Sequence, residues 1–447
     1  MDASPDAEPR RLLPQAFATG RPGLIGLVVI TGVGGGLIGV GYLELLSWMS
    51  RGLGPTRWSH ASHLAILAGV GILIALLAVW LGHPSDVELL VDNIHVLGGP
   101  EEVRGLRSLV PMSLLCIATG GALGPEAPLV TTTGSLAGAL GSRCHLDRHD
   151  LRILTITGMA AGFTVLFGAP LGSAVFSLEI LHRRGMEYYE ALLPAAIGAL
   201  CGFAISSAIN GVGLRPMWQF PAPAHLRLGD IGYAVAAGVV GAAIAAAFTY
   251  LTIGLRRAGG LLPTSSRPVL GGVLLGGLAV ISPYALTNGE TQLHDLTVVK
   301  VAVGTLLLAA GAKLVASAVT AATGWLGGFI IPLFFIGFCL GRAMQGHLPG
   351  GSSWALAAGL MVAANVGVTK TPIGSTLVIT EMTGSILFPT TLIAALVSLA
   401  LTSRIGLIDS QRRRLDPLND DAPQTAAAHD TLGNPDAASH DAEEPER

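Results

Sequence analysis

The stretch GALGPEAPLVTTTG, residues 121–134, contains one carboxylate, Glu126, between two prolines and after a group of glycines. No charged residue precedes it back to Ser108, and none follows it before Arg143. Glycine and proline interrupt helices. An ionisable residue in such apolar surroundings is costly and usually functional. The stretch therefore predicts a broken helix at membrane depth that carries a functional acid.

The composition of the whole chain is that of an integral membrane protein. Of its 447 residues, 51% are hydrophobic and only 12% are charged, and the mean hydropathy is +0.62. Several charge-free segments approach the roughly 20 residues that cross a bilayer. These segments are 22–43, 64–81, 108–125, 191–214, 301–312 and 382–403.

The two ends of the chain are polar. Residues 1–21 form an acidic lead without a small-residue cleavage site, which favours a cytoplasmic segment over a signal peptide. Residues 415–447 are rich in Asp, Ala, Pro and Glu, which predicts a disordered tail. Arginines flank the first and last apolar segments, so we expect both termini to be cytoplasmic and the protein to lie in the cell inner membrane.

Several classes of function lack support in the composition. A net charge of −3 gives no indication of nucleic-acid binding, and four scattered cysteines form neither a disulfide framework nor a metal motif. No histidine accompanies Ser173 or Ser375 at helical spacing, which argues against an intramembrane serine hydrolase. We therefore expect neither an enzyme nor a bound cofactor or metal.

An internal repeat organises the apolar region. APLGSAVFSLEI (169–180) matches TPIGSTLVITEM (371–382) at an offset of 202, and CIATGGALGPEAP (116–128) matches TAATGWLGGFIIP (320–332) at an offset of 204. The order of the two matches favours duplication over chance. We predict one half over 22–211, a linker over 212–228 and a second half over 229–414. Interrupted segments at matching positions of two halves indicate a substrate site at their interface.

The two breaks suit a small anion. A glycine-rich turn that enters a helix leaves backbone N–H groups unpaired at the positive end of the helix dipole, and such an end binds anions. Two facing breaks can replace the hydration shell of an anion without a fixed basic charge. An ionised Glu126 can occupy that place and leave it when protonated; the alternative is an acid that only caps its helix.

Five other candidate side chains remain open to two interpretations. Ser85 can donate its hydroxyl to an anion or serve as an ordinary helix cap. Glu179 and Glu381 end the matched segments, and a place at the aqueous interface is favoured over proton transfer. Lys313 can attract anions, or its side chain can extend to the interface. The same two interpretations apply to Lys370.

These motifs, in this order over about residues 20–414, are similar to those of the chloride channel (CLC) family of anion channels and proton-coupled anion antiporters. GPEAP resembles the family's gating motif and places Glu126 at the gating glutamate. GWLGGFIIP resembles G-G-x-F-x-P and places the amides of Phe329 and Ile330, with Gly328, at the anion site. PSDVE occupies the position of G-S-G-I-P and places Ser85 at the filter hydroxyl.

The resemblance implies an all-α membrane fold, an inverted repeat of short, tilted and partly broken helices. It also implies a homodimer with one pore per subunit and chloride as the transported ion. No pair of cytoplasmic CBS domains is expected after the last span.

Some positions depart from the family pattern. Pro125 and Ala127 replace the neighbours of the gating glutamate, and the first filter motif differs at three further positions, Pro84, Asp86 and Glu88. The aromatic residue of the third motif is shifted by one, so that Phe329 precedes Ile330.

Two departures concern chemistry. Ile408 stands at the position of the filter tyrosine, which removes one hydroxyl ligand from the anion-binding set. Glu179 matches the first glutamate of the family's pair, and Ile180 replaces the second, which is the proton-transfer acid of the antiporters. This favours passive conduction gated by Glu126. A proton-coupled antiporter for chloride, fluoride or nitrate, with Glu179 on the proton path, is the first alternative, and a non-conducting sensor or scaffold is the second.

Overall fold

The computed structural model describes residues 22–413, except for 60–61, 83, 86, 101–102, 184, 212–217, 219, 221–224, 345–346, 348 and 350–351. The predicted lead and tail, and most of the predicted linker, lie outside the described residues. Within the described part the chain is helical, as expected, and its one isolated β-bridge pairs Gly124 with Gly328.

Sixteen α-helices form the described part of the chain, and they divide into two series of eight. The first series is α1 (Pro22–Leu53), α2 (His63–Leu81), α3 (Val87–Val96), α4 (Leu106–Ala118), α5 (Glu126–Arg143), α6 (Arg148–Phe167), α7 (Pro170–Glu179) and α8 (Leu192–Asn210). The second is α9 (Leu228–Gly259), α10 (Arg267–Ile281), α11 (Glu290–Val298), α12 (Val303–Ala322), α13 (Ile330–Ala343), α14 (Ser353–Thr369), α15 (Pro372–Thr383) and α16 (Phe388–Thr402).

The two series correspond helix by helix. The first helix of each, α1 and α9, has 32 residues. The helices α6 and α14 both end at a residue with left-handed backbone, Gly168 and Lys370, each with φ of 62°. In both halves a proline then begins the next helix, where its missing N–H is not needed.

Eight helices among the described residues are long and apolar enough to cross a membrane. They are 23–53, 63–81, 148–167, 189–210, 228–259, 264–281, 303–322 and 385–402. The charge-free segment 108–125 does not form one span, because α4 ends at Ala118 and α5 begins only at Glu126. Shorter apolar helices, among them α4, α13 and α14, complete the apolar core.

The non-helical backbone between α4 and α5, and that before α13, is tolerated within the apolar core because groups of the other half supply its hydrogen bonds. Gly124 and Gly328 each donate an N–H to the other's carbonyl, with N···O distances of 2.7 and 2.6 Å. Ser317 donates its hydroxyl to the Ala122 carbonyl at 2.8 Å, and the Thr287 N–H donates to the Gly120 carbonyl at 2.9 Å. The two breaks therefore face each other.

The helices α7 and α15 cap each other across the two halves. Glu179, at the end of α7, accepts the N–H groups of Gly374 at 2.7 Å and Ile373 at 3.2 Å, in the first turn of α15. Glu381, near the end of α15, accepts the Gly172 N–H in the first turn of α7 at 3.4 Å. The expectation that Glu179 lies at the aqueous interface was wrong: its residue is 3% exposed.

We expect Glu179→Ala to lower the free energy of unfolding by about 3 kcal/mol, because two buried donors lose a charged acceptor. The measurement is thermal unfolding of the purified protein in detergent, followed by size-exclusion chromatography. Glu381→Ala is the matched control, since the half-buried Glu381 carboxylate accepts the Gly172 N–H at a longer distance. We expect this variant to lose clearly less free energy of unfolding. Equal losses in the two variants would contradict the assignment of this role to Glu179.

The two buried lysines, Lys313 and Lys370, bind main-chain carbonyls. Lys313 donates to the carbonyls of Leu286 and Thr287 at 2.7 and 2.6 Å. Lys370 donates to the Thr402 carbonyl at 2.7 Å and to the Thr402 hydroxyl at 2.9 Å. The interpretation that they extend to the interface was wrong, because they are only 0% and 2% exposed. Their ammonium groups hold loop and helix-end carbonyls that have no helical partner.

Candidate functional site

Glu126 begins α5, and its carboxylate reaches across to the opposite half. Its Oε1 accepts the N–H of Ile331, in the first turn of α13, at 2.5 Å. The residue is 1% exposed, and Oε2 has no hydrogen-bond partner within the described part of the chain. The carboxylate therefore occupies the positive end of α13, where the first N–H groups lack helical acceptors.

A small cavity adjoins this carboxylate. It has an internal volume of about 40 Å³, which suffices for a few water molecules or one small ion. Its lining residues are Val87, Val91, Glu126, Ala127, Val130, Phe163, Ile180, Gly328, Phe329, Ile330, Thr369 and Ile408. No basic side chain is among them, so an anion here would depend on backbone dipoles and hydroxyl groups.

The cavity brings together most of the residues that the sequence singled out. Glu126, Gly328, Phe329, Ile330 and Ile408 all line it. They come from the starts of α5 and α13 and from the segment after α16. Ile180, the replacement for the second acid, lines it too.

Ser85 is a predicted site residue that does not line the cavity. Its N–H donates to the Gly105 carbonyl at 3.4 Å, and its hydroxyl lies against the Cα of Gly105. Val87, two residues later at the start of α3, does line the cavity. The helix that follows Ser85 therefore points to the site, whereas the Ser85 side chain packs beside it. Asp86 lies outside the described residues.

Glu179 is also absent from the cavity lining. Its carboxylate is turned toward the first turn of α15, as described above, while the next residue, Ile180, contacts the cavity. The buried acid Glu179 is therefore adjacent in sequence to a residue that lines the cavity.

Several lining residues were missed by the sequence reasoning. Val91, Val130 and Phe163 are ordinary apolar residues within helices, and no local signal distinguishes them. Thr369 is different, because it ends α14 three residues before the repeated proline of α15. Its nearness to that repeat was a usable signal. The equivalent position in the first half is the apolar Phe167.

Comparisons with known proteins agree with this arrangement. The family described as "Voltage gated chloride channel" matches residues 85–403. A chloride/fluoride channel protein of Pseudomonas syringae pv. tomato is 29% identical over 382 residues, covering 80% of each chain. A putative ion-transport protein, YfeO, of Escherichia fergusonii is 28% identical over 320 residues, covering 69% of this chain and 74% of that protein.

Solved structures share the fold. A CLC-type fluoride/proton antiporter superposes with a TM-score of 0.75 at 23% identity, covering 88% of this chain and 98% of that one. A slow cyanobacterial chloride/proton antiporter gives a TM-score of 0.74 at 19% identity, covering 86% and 94%. The predicted fold class, an all-helical membrane protein with many spans, is confirmed by these structures.

Proposed function

Since this chain belongs to the voltage gated chloride channel family of anion-transporting membrane proteins, we propose that it conducts chloride passively through a pore gated by Glu126. The observation that carries the proposal is the bond between the Glu126 carboxylate and the Ile331 N–H, beside the cavity. A carboxylate bound at a helix start supports the proposal, because a group that binds there can be replaced by another anion.

Gating follows because the Glu126 carboxylate and the anion compete for the same N–H groups at the start of α13. While Glu126 is ionised, its Oε1 takes the N–H that an anion would need. Protonation removes the charge that holds the carboxyl group at α13, and the side chain then yields to chloride. Because the cavity has no basic side chain, the anion is bound by N–H groups and can leave again, as conduction requires.

Passive conduction is supported by Ile180. The resemblance implies that this position carries the proton-transfer acid in the antiporters of the family, and here an isoleucine lines the cavity. An isoleucine side chain cannot bind a proton. Anion flux therefore has no dedicated proton partner at this position.

Proton measurements in liposomes test this proposal. Under an outward chloride gradient we expect chloride flux without stoichiometric proton movement, because no acid at position 180 couples the two. Chloride release and internal pH are recorded together with an ion-selective electrode and a trapped dye. Uphill proton movement in fixed ratio to chloride would overturn passive conduction.

A proton-coupled antiporter is the second candidate, and Glu179 favours it. This buried acid adjoins Ile180 and is held by two N–H groups rather than by a cation. In that case Glu179→Gln should abolish proton movement while chloride flux continues. Fluoride belongs in the same assay, since the Pseudomonas relative is named a chloride/fluoride channel protein.

We also propose a homodimer in the inner membrane with both termini cytoplasmic, as the family resemblance implies. The starts of α7 and α15 carry exposed apolar side chains, Leu171 at 58% and Ile373 at 46%. These paired residues support an apolar contact face on this side of the subunit.

A further inference from the structure

One neutral hydroxyl group belongs to the residues that line the cavity. Among its lining residues, only Glu126 and Thr369 have polar side chains. Ile408 supplies no hydroxyl group, although the resemblance places a tyrosine there. An anion that has displaced Glu126 therefore has Thr369 as its remaining side-chain donor.

Thr369 is held in place by its own helix end. It is the last residue of α14, and it is fully buried. Its main-chain carbonyl accepts the Gln411 amide at 2.7 Å, and the same amide donates to the Ile180 carbonyl at 3.0 Å. Gln411 thus ties two cavity-lining residues to the segment that carries Ile408.

Three buried polar side chains extend behind Thr369. Asn365 donates Nδ2–H to the Ser375 hydroxyl at 2.8 Å. The Ser375 and Thr371 hydroxyls are 2.8 Å apart, and those of Thr371 and Thr369 are 2.7 Å apart. All four residues have no exposed surface. One order lets every hydroxyl both donate and accept, and it runs from Asn365 through Ser375 and Thr371 to Thr369.

In this order the Thr369 hydroxyl accepts from Thr371, so its own proton can be donated to another acceptor. In the structure it is donated to the Asn365 carbonyl at 2.9 Å. That carbonyl is also the helical acceptor for the Thr369 N–H. When the hydroxyl turns toward the cavity, this carbonyl keeps its helical bond and stays paired.

We propose that the Thr369 hydroxyl is the side-chain donor to the transported halide, and that Thr371, Ser375 and Asn365 orient its proton toward the cavity. This inference rests on the proposed anion conduction and names one of its ligands. A small halide concentrates its charge and gains most from such a donor, so Thr369 favours fluoride and chloride over larger anions.

The test compares two substitutions that differ in one group. Thr369→Val keeps the shape and removes the hydroxyl, whereas Thr369→Ser keeps the hydroxyl. We expect Thr369→Val to lower chloride flux about tenfold, because a hydrogen bond to a charged partner is lost. Its loss of fluoride flux should be larger and its loss of bromide flux smaller. Thr369→Ser should stay within about twofold of the wild type.

Two further variants separate a role in anion binding from a structural role. Thr157→Val is the matched control, since Thr157 is fully buried and donates within its own helix to Ile153, away from the cavity. Thr371→Val leaves the cavity lining intact and removes the donor behind Thr369, so it should shift the halide order in the same direction by less. A purely structural role would not change that order.

The possible failures are distinguishable. A folded Thr369→Val protein with wild-type flux and wild-type halide order would overturn this inference and leave anion conduction standing. If Thr369→Val does not fold, an unchanged halide order in Thr371→Val overturns it instead. Absence of flux from both the wild type and Glu126→Gln would overturn the proposed function itself.

Discussion

Glu126→Gln should raise chloride flux at neutral pH by about 10- to 100-fold and remove its dependence on pH. The ionised carboxylate is bound to the Ile331 N–H, and a hydrogen bond to a charged group contributes about 1.5–3 kcal/mol. Removing that competitor changes occupancy by the corresponding factor. In the wild type, flux should rise as pH falls, because protonation has the same effect as the amide. Flux from reconstituted liposomes between acidic and neutral pH provides the measurement.

Two companion variants sharpen this result. Glu126→Ala, which removes the side chain altogether, should be as active as Glu126→Gln and equally indifferent to pH. Glu44→Gln neutralises an exposed carboxylate on α1 and should behave as the wild type. If the wild type, Glu126→Gln and Glu126→Ala all fail to conduct any anion, the non-conducting sensor or scaffold becomes the better interpretation.

Gly328→Val should reduce anion flux to less than about a tenth of the wild-type value. A Cβ at this position would lie 2.5 Å from Glu126 Oε2, 2.9 Å from Glu126 Cβ and 3.0 Å from the Ala127 nitrogen. The Ala127 nitrogen is main chain and cannot move away freely, and Gly328 is itself held by two hydrogen bonds with Gly124. The added side chain would also enter the cavity that Gly328 lines, and overpacking of this kind costs about 1–3 kcal/mol, which lowers the occupancy of an anion there by roughly the stated factor.

The matched control is Gly311→Val. A Cβ on Gly311 of α12 would meet no atom within 4 Å, and the residue is exposed, so this variant should fold and conduct normally. Chromatographic behaviour and flux are measured side by side for both proteins. Normal flux from folded Gly328→Val protein would contradict the close approach of the two breaks.

The sequence was sufficient for the features that depend on local pattern. Glycine and proline around Glu126 predicted the break between α4 and α5. The matching break before α13 identified the partner with which Gly124 pairs. The repeat also predicted that helices recur in the same order, because duplicated hydrophobic and turn signals fold alike. These signals were enough to predict that Glu126, Gly328, Phe329 and Ile330 lie close together.

Contacts between the halves could not be predicted in this way. Glu179 looked like an acid at a helix end, and only the fold shows that it caps α15, about two hundred residues away in sequence. The carbonyl partners of Lys313 are likewise set by the position of a distant loop. Ser85 has the residue type expected of a ligand, but packing against Gly105 determines where its side chain lies. Thr369 was missed because its hydroxyl group is notable only beside a cavity whose lining residues come from seven separate segments of the chain.

The mutual capping of α7 and α15 gives the two halves of the chain a symmetric contact. The end of α7 binds the start of α15, and the end of α15 binds the start of α7. The subunits of a two-fold dimer make the same reciprocal, isologous contact. The two halves of one polypeptide therefore meet here as the subunits of such a dimer do. The starts of α5 and α13 both line the cavity, and they differ in charge because Glu126 has no acidic counterpart at Ile330.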